Sequence, residues 1–348
     1  AAEANGSKYF YINNENLDAA VDLVEREIIS NYPNGKVPFH SRWRHFEFEN
    51  KNFWQKTALK LTKRSKNEIA RSQIDLAVVS VLLDAGAGSS WRYKDSQTGL
   101  NFSRSEGLAI ASLRLFERGV LSQSGLDDPL RVDAASLQAL TPKILAMEFQ
   151  VSQSNQLLGL EDRAKLLNRL GDTLLKQKHI FEAEGTFRPG NLFDYLTRSQ
   201  VTGVLEARDI LIAVLQGMGE IWPDGSWIDN VAIGDAGYHE VVKRSDVTDG
   251  IVPFHKLSQW MSYSLIEPLQ EAGFKVNNLD ALTGLAEYRN GGLFIDTKAI
   301  SLKDRTQLEV VHDPKSPLVV EWRALTVVLL DKLAERIRRS TNTDSGSM

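Results

Sequence analysis

The chain has 348 residues, of which 42% are hydrophobic and 25% are charged. These proportions are typical of globular proteins, so intrinsic disorder, collagen and a long coiled coil are disfavoured. The 41 basic and 45 acidic side chains give a formal net charge of -4, which provides no general attraction for nucleic acid or for an anionic membrane surface.

Two absences narrow the class of protein further. The sequence has no cysteine, which excludes disulfides, thiolate metal sites and a cysteine nucleophile, and which is compatible with a reducing compartment. No stretch reaches the roughly 20 apolar residues that span a bilayer, and the first residues lack the basic and apolar regions of a signal peptide. We therefore expect a cytoplasmic protein that binds neither membranes nor nucleic acid.

Helical periodicity dominates the chain and predicts a mainly α fold. Apolar residues recur at helical spacing from Leu17 to Ile28, shortly before Pro33. A longer helix is predicted from about residue 67 to residue 83, and Ser103 followed by Glu106 has the spacing of a capping box. Further helices are predicted at residues 133–140, 160–177, 191–198, 203–216, 254–271 and 317–338.

Strand patterns are scarce, and the predicted domain boundary is based on one polar run. Residues 292–296 and 307–311 favour strands, which we expect to pair as a hairpin beside the helical core. The polar run VSQSNQ suggests a boundary near Asn155. We expect an N-terminal helical region over residues 1–155, a C-terminal helical region over 156–340 that carries most of the site, and a disordered tail over 341–348. One continuous domain is the alternative.

The block PFHKLSQW, residues 253–260, has an unusual mixture of aromatic and polar residues. On a helix, Lys256, Gln259 and Trp260 share one face. Rings and polar groups on one face are able to line a ligand pocket, whereas the simpler interpretation is a solvated helix face.

The block EYRNGG, residues 287–292, follows in the same region. Glu287, Tyr288 and Arg289 precede two glycines that permit a tight turn and a close approach of the backbone to a ligand. The simpler interpretation is a surface hairpin turn. We place the active site where this block meets PFHKLSQW.

Three other segments join charged to aromatic residues: HSRWRHF at 40–46, LLDAGAGSSWRY at 82–93 and IGDAGYHE at 233–240. Asp84 and Asp235 lie beside small residues, and each is equally well explained as a substrate-facing carboxylate or as a turn or cap residue. His239 and His255 are able to move protons or bind a metal. Because no HExxH and no compact three-ligand spacing is present, two structural histidines are the simpler interpretation.

Standard cofactor and nucleophile motifs are also missing from the sequence. It has no GxGxxG after a strand, no GxxxxGK[ST] and no GxSxG, so nucleotide-cofactor and serine-hydrolase functions lose support. We expect no cofactor and no metal.

Between about His40 and Asp296 the sequence contains a series of distinctive motifs: SRWRHF, LLDAGAG with Trp91 and Tyr93, RSEGLAIAS, PLRVDA, RPG, GD at 234–235, VPFHKLSQW and LTGLAEYRNGG. Together they resemble the uracil catabolism protein 4 family. That family serves a pyrimidine-degradation route that yields urea, and the resemblance implies hydrolysis of the N-glycosidic bond of ribosylurea 5-phosphate to urea and ribose 5-phosphate. The family is remotely similar to queuosine-phosphate glycosidases, which implies a helical architecture like that of DNA glycosylases.

The implied reaction assigns roles to the candidate residues. A carboxylate stabilises the cationic sugar or activates water, and we expect Asp235 or Glu287 in that role, with Asp84 third. The leaving urea receives a proton from His239, His255 or Tyr288. Lys256 and Arg289 are expected to bind the phosphate, and Trp260 and Trp91 are expected to close over the substrate. The predicted substrate-binding residues are His255, Lys256, Gln259, Trp260, Tyr288, Arg289, Trp91 and Arg104.

Two other functions remain open from the sequence. One is a metal-dependent amide hydrolase that acts on an opened pyrimidine ring, with Asp235, His239 and His255 as ligands. The other is a non-catalytic sensor of a pyrimidine metabolite. The expected partner is a small molecule, for the glycosidase a phosphorylated ribosyl compound. The sequence also leaves a homodimer open.

Overall fold

The computed structural model describes residues 6–198, 200, 202–222 and 225–343. Within these ranges the fold is mainly α, as the periodicity predicts. A likeness to DNA glycosylases stays a prediction. The α-helices are α1 (Leu17–Asn31), α2 (Phe53–Ala58), α3 (Lys66–Leu82), α4 (Arg104–Glu117), α5 (Ala134–Ala139), α6 (Pro142–Glu148), α7 (Leu160–Lys176), α8 (Lys178–Phe181), α9 (Leu192–Thr197), α10 (Ala207–Met218), α11 (Lys256–Glu271), α12 (Tyr288–Asp296) and α13 (Pro317–Thr341).

The strands of the described residues are short, and each sheet has two of them. Among the described strands, Val204–Glu206 and Lys275–Asn277 form the one parallel pair. The strands are β1 (Phe10–Ile12), β2 (Glu47–Phe48), β3 (Lys51–Asn52), β4 (Tyr93–Lys94), β5 (Asn101–Phe102), β6 (Glu182–Ala183), β7 (Thr186–Phe187), β8 (Val204–Glu206), β9 (Ser226–Ile228), β10 (Val231–Gly234), β11 (Ala236–Tyr238), β12 (Ile251–Pro253), β13 (Lys275–Asn277) and β14 (Ile300–Leu302). Short 3₁₀-helices lie at Arg42–Phe46, Leu59–Leu61, Gly125–Asp127, Pro189–Asn191, Gly219–Ile221, Leu279–Ala281 and Arg305–Glu309.

The chain divides into two compact units, each assembled from distant parts of the sequence. Unit 1 contains the described residues within Ala1–Phe39, Asp224–Gln259 and Leu279–Met348, and unit 2 contains those within His40–Pro223 and Trp260–Asn278. Asn155 lies inside unit 2, and the predicted boundary there stays a prediction. Of the predicted tail, Thr341 still belongs to α13, and residues 344–348 lie outside the described part of the chain.

Unit 1 is built on the long helix α13. Its apolar face, which includes Leu325 and Leu329, packs with Leu17 of α1 and Phe294 of α12 in one buried cluster. The short antiparallel pair of β1 and β14 adds Ile300 to the same cluster. A helix with a continuous apolar stripe gains its stability from such burial, at about 25 cal/mol per Å² of apolar surface.

Unit 2 is built around α3, which is buried along every residue from Ile74 to Leu82. The apolar run LAVVSVLL explains this burial, because a helix that is hydrophobic on all sides belongs inside a core. Asp75 on the same helix is also buried, and its carboxylate accepts hydrogen bonds from the Arg188 guanidinium, from Gly190 N at 2.6 Å and from Val132 N at 3.0 Å. The buried acid is thus paired and hydrogen-bonded, as the low dielectric of a core requires.

Three local predictions are wrong. Residues 292–296 form part of α12, and residues 307–311 start within a 3₁₀-helix, so the expected hairpin does not exist. Residues 204–206 form β8 and not the first turn of a helix, because they pair with β13. Ser103 does precede α4, but its side chain makes no capping hydrogen bond within the described chain.

None of the helices in the described ranges combines the length and the apolar character needed to cross a bilayer.

Candidate active site

Residues 253–259 of the block PFHKLSQW lie near the block EYRNGG in unit 1. Lys256 Nζ lies 3.9 Å from Glu287 Oε1, and Gln259 Oε1 accepts a hydrogen bond from Thr283 N at 3.2 Å. Beside these polar contacts, Phe254 and Ala286 pack together with Val320 of α13. Parts of the two sequence blocks therefore lie together in unit 1, and their role in catalysis stays a prediction.

Asp235 fixes the start of α11. It lies between β10 and β11, and its backbone carbonyl accepts hydrogen bonds from Phe254 N at 3.0 Å and His255 N at 2.9 Å. Its carboxylate accepts from Lys256 N at 3.0 Å, so it satisfies a donor that the helix start leaves unpaired. His255 has a φ of 49°, a left-handed conformation that costs on the order of 1 kcal/mol and that these bonds hold in place.

The carboxylate of Asp235 is also held by Arg323 of α13. Arg323 Nη1 donates to Oδ1 at 2.9 Å and Nη2 donates to Oδ2 at 2.7 Å, the bidentate geometry that gives arginine its strongest carboxylate contacts. Burial alone would raise the pKa of Asp235, but the hydrogen bonds and charge of Arg323 outweigh it and hold the pKa below its usual range. The group is therefore ionised and a poor proton acceptor.

Arg323 has a third and a fourth contact in the same place. Its Nε donates to Ala286 O at 3.1 Å, and its Cζ lies 4.1 Å from the centroid of the Phe254 ring. One guanidinium thereby contacts Asp235, Phe254 two residues before α11, and Ala286, the residue before Glu287. Sequence reasoning missed Arg323, because EWRALTVV gives no local sign that its single arginine faces a site.

Glu287 is placed differently from Asp235. It immediately precedes α12, and its side chain makes no capping hydrogen bond within the described residues. The side chain is 32% exposed, and Lys256, 27% exposed, is the cation that lies near it. The carboxylate is thus available to a molecule that arrives from solvent.

Tyr288 and Arg289 continue the same surface. The Tyr288 ring stacks on Trp322 of α13, with centroids 5.5 Å apart and planes inclined by 25°. Tyr288 is 48% exposed, so the face of its ring opposite Trp322 is accessible. Arg289 is exposed, so the surface joins one carboxylate, two cations and an open aromatic ring.

The two histidines of unit 1 differ in their surroundings. His239 is buried, and its Nε2 lies 3.2 Å from Oε2 of Glu321, close enough for an ion pair although the alignment is not that of a hydrogen bond. The Glu321 carboxylate also accepts from Ser7 Oγ and from the backbone N–H groups of Lys8 and Tyr9. His239 therefore lies in a buried cluster with Glu321, and its role, structural or catalytic, stays a prediction.

His255 is half-buried beside Asp235. Burial lowers its pKa, while the charge of Asp235 opposes that effect. A neutral imidazole at physiological pH is a hydrogen-bonding group and a weak proton donor. Among the described residues, no three His, Asp or Glu side chains are gathered as ligands of one metal ion, so the ligand set Asp235, His239 and His255 is not assembled.

The remaining predicted site residues lie in unit 2. Asp84 accepts hydrogen bonds from Arg42 Nη1 at 2.6 Å and from Ser105 Oγ at 3.0 Å. Arg104 is exposed at the start of α4 and has a φ of 51°. Trp91 is fully buried, and its Nε1 donates to Phe149 O at 3.0 Å, so it packs as a core residue and does not lie over an open surface.

The face of helix α11 that carries Lys256 is mixed: the Lys256 side chain is 27% exposed, whereas other polar residues of the helix are buried. Gln259 and Trp260 are each 5% exposed, and Ser262 and Ser264 are fully buried. A helix with buried polar residues keeps them only where they have partners or a function, which raises the interest of this segment.

Comparison with known proteins identifies the family. The whole chain, residues 1–348, matches the family described as "Protein of unknown function (DUF1688)". Protein urg3 of Schizosaccharomyces pombe is 40% identical over 342 residues, which cover 95% of this chain and 80% of that protein. Uracil catabolism protein 4 of Lachancea kluyveri is 36% identical over 374 aligned residues, which cover 97% of this chain and 83% of that protein. The chain therefore belongs to the DUF1688 family and is a homologue of uracil catabolism protein 4, which confirms the resemblance drawn from its motifs.

Proposed function

We propose that this protein acts in uracil degradation as an N-glycosidase that hydrolyses ribosylurea 5-phosphate to urea and ribose 5-phosphate. The name of one relative, uracil catabolism protein 4 of Lachancea kluyveri, supports a role in uracil catabolism. The observation that carries the reaction is the accessible pair formed by Glu287 and Lys256, whose charged atoms lie 3.9 Å apart. It provides a carboxylate for the sugar and a cation for the phosphate on one surface.

The bond changes balance as follows. The C1–N bond of the ribosyl group breaks, its electron pair stays on the urea nitrogen, and the sugar gains positive charge. Water forms the new C1–O bond and loses a proton to Glu287, while the leaving urea takes one proton from solvent, to which Glu287 later returns its own. Glu287 stabilises the cationic sugar and accepts the proton of water, which is the work of a carboxylate in glycoside hydrolysis.

Lys256 and Arg289 bind the phosphate in this mechanism. Phosphate recognition favours fixed cations, and an arginine is able to bind two phosphate oxygens at once. The open face of Tyr288 packs against the sugar or the planar urea group. Asp235 is not the base, because its two oxygens already accept hydrogen bonds from Arg323 and Lys256 N; it positions Lys256 instead.

The test compares the Glu287→Gln variant with the wild type, using synthetic ribosylurea 5-phosphate and an assay of urea. We expect kcat to fall by about 10²–10⁴-fold, the usual contribution of a general acid or base. The matched control is Glu309→Gln, which changes an exposed carboxylate of the same unit and is expected to leave kcat unchanged. Circular dichroism and thermal unfolding verify that both variants fold. A Glu287→Gln variant with wild-type kcat would contradict the assignment of the base.

A further inference from the structure

The indole of Trp260 in unit 2 is surrounded by nitrogen-bearing side chains of the segment HSRWRHF. The His40 ring is stacked on it at 6.0 Å between centroids with planes inclined by 20°, and the His45 ring approaches edge-on at 5.6 Å. The Arg42 Cζ atom lies 5.7 Å from the indole ring. We call these four residues, His40, Arg42, His45 and Trp260, the indole cluster.

The indole cluster carries almost no net charge. Arg42 is completely buried, its Nη1 donates to Asp84 Oδ2 at 2.6 Å, and its Nε donates to Ser80 Oγ at 2.7 Å. The buried guanidinium is thus neutralised by the Asp84 carboxylate. Burial, together with the positive charge of Arg42, lowers the pKa of His45 to about 4, so that imidazole is neutral at physiological pH.

Three buried polar atoms of the cluster have no hydrogen-bond partner among the described residues: Arg42 Nη2, His45 Nδ1 and Trp260 Nε1. Leaving a buried donor or acceptor unsatisfied costs about 1–3 kcal/mol, so such atoms are rare in native proteins and each calls for a partner. Here three of them belong to side chains in contact around one indole. The two donors are a guanidinium N–H and an indole N–H, and a neutral imidazole supplies one acceptor.

We propose that the indole cluster binds a small, neutral, planar molecule that carries a carbonyl group beside an N–H, such as a ureide or a pyrimidine base. The two lone pairs of its carbonyl oxygen accept from Arg42 Nη2 and Trp260 Nε1, and its N–H donates to His45 Nδ1. A planar molecule is favoured because aromatic rings stack on flat groups. A neutral molecule is favoured because the charge of Arg42 is already balanced by Asp84.

One member of the cluster, His40, borders solvent. Its side chain is the exposed member of the cluster, and it covers the indole. The proposal uses none of Glu287, Lys256, Arg289, Tyr288 and Asp235, the residues that carry the proposed glycosidase mechanism, so it is tested separately from that mechanism.

Uracil is the probe for the test, because it is neutral and planar and has carbonyl groups beside N–H. Calorimetry and ligand-observed NMR on the full chain measure its Kd. The comparison ligand is 1,3-dimethyluracil, which keeps both carbonyl groups but has no N–H. We expect dimethyluracil to bind at least about tenfold more weakly than uracil, the effect of losing one hydrogen bond to a buried acceptor.

The variant for the same test is Trp260→Phe, which keeps an aromatic ring and removes the indole N–H. We expect its Kd for uracil to rise about tenfold or more. Trp227→Phe, at a tryptophan that is 55% exposed, is the matched control and should bind like the wild type. Equal binding of uracil by wild type and Trp260→Phe would overturn the proposal. So would equal affinity of the wild type for the two ligands, a readout that does not depend on folding of the variant. Absence of uracil binding at millimolar concentrations would show that the three atoms are merely hydrated, while a urea-release assay would be unaffected by that result.

Discussion

Two acidic residues of unit 1, Asp235 and Glu287, have the same functional group but different surroundings. Both oxygens of Asp235 accept hydrogen bonds from Arg323, and the pKa of Asp235 is held below its usual range. Glu287 is about one-third exposed and has Lys256 3.9 Å away. The first carboxylate is suited to holding three elements in place, and the second is suited to meeting a substrate. The sequence alone assigned the two carboxylates the same chemistry, because it shows neither the contact between Arg323 and Asp235 nor the burial of Asp235.

His45 gives a pH dependence that belongs to a single residue. Its pKa is about 4 in the folded chain and 6.5 for an ordinary histidine, so protonation favours the unfolded state. The stabilising contribution of the neutral ring is complete above pH 6.5 and is lost as the pH falls toward 4. The slope approaches ~1.4 kcal/mol per pH unit for one such group.

The measurement is the free energy of unfolding in urea at pH 7 and pH 5, for wild type and His45→Gln. We expect the wild type to lose more stability than the variant between these two values, because glutamine does not titrate. His179→Gln, at an exposed histidine, is the control. A difference between wild type and His45→Gln that stays constant with pH would contradict the assignment.

Helix α12 illustrates how far local sequence determines an element. The run EYRNGGLFID was expected to give a turn and a strand, since two glycines disfavour a helix. The structure forms a helix over Tyr288–Asp296, because its apolar residues pack on α1 and α13. Tertiary packing therefore overrides a weak local propensity. The same packing explains why a glycine is needed, since a Cβ at Gly291 would lie 2.6 Å from Trp322 Nε1 and 2.7 Å from Thr326 Oγ1.

The two adjacent glycines make a matched pair of variants. Gly291→Ala is expected to lower the free energy of unfolding by about 1–3 kcal/mol, the usual cost of overpacking. Gly292→Ala has no atom within 4 Å of its new Cβ and is expected to raise it by about 0.4–1 kcal/mol, because alanine is the better helix former. Urea denaturation of both variants checks this. Equal destabilisation by the two substitutions would show that α12 does not pack on Trp322 as described.

At the scale of the whole chain, the helices were largely predictable and their assembly was not. The periodicity that marks α1, α3, α7, α11 and α13 is local, so the sequence displays it directly. The two units depend on contacts between remote segments, such as the pairing of Phe10 with Leu302 and of Val204 with Lys275. No local pattern records which segments pair. The two blocks of the candidate site were recognisable because each is a local run of residues. Arg323 was not, because it lies 88 residues from Asp235 in the sequence.

Unit 1 brings together a carboxylate, cations and an aromatic ring, and one relative is named uracil catabolism protein 4. That combination supports the proposed cleavage of the sugar–nitrogen bond. The alternative reaction, amide hydrolysis, is distinguished from it by its products. Glycosidic cleavage yields urea and ribose 5-phosphate, whereas amide hydrolysis of the same compound yields ammonia.

The most direct test is to incubate the wild-type protein with ribosylurea 5-phosphate and to quantify urea, ribose 5-phosphate and ammonia over time. The glycosidase account predicts urea and ribose 5-phosphate in equal amounts, at a rate well above that without protein and without ammonia. Release of ammonia, or no urea above the uncatalysed rate, would contradict it.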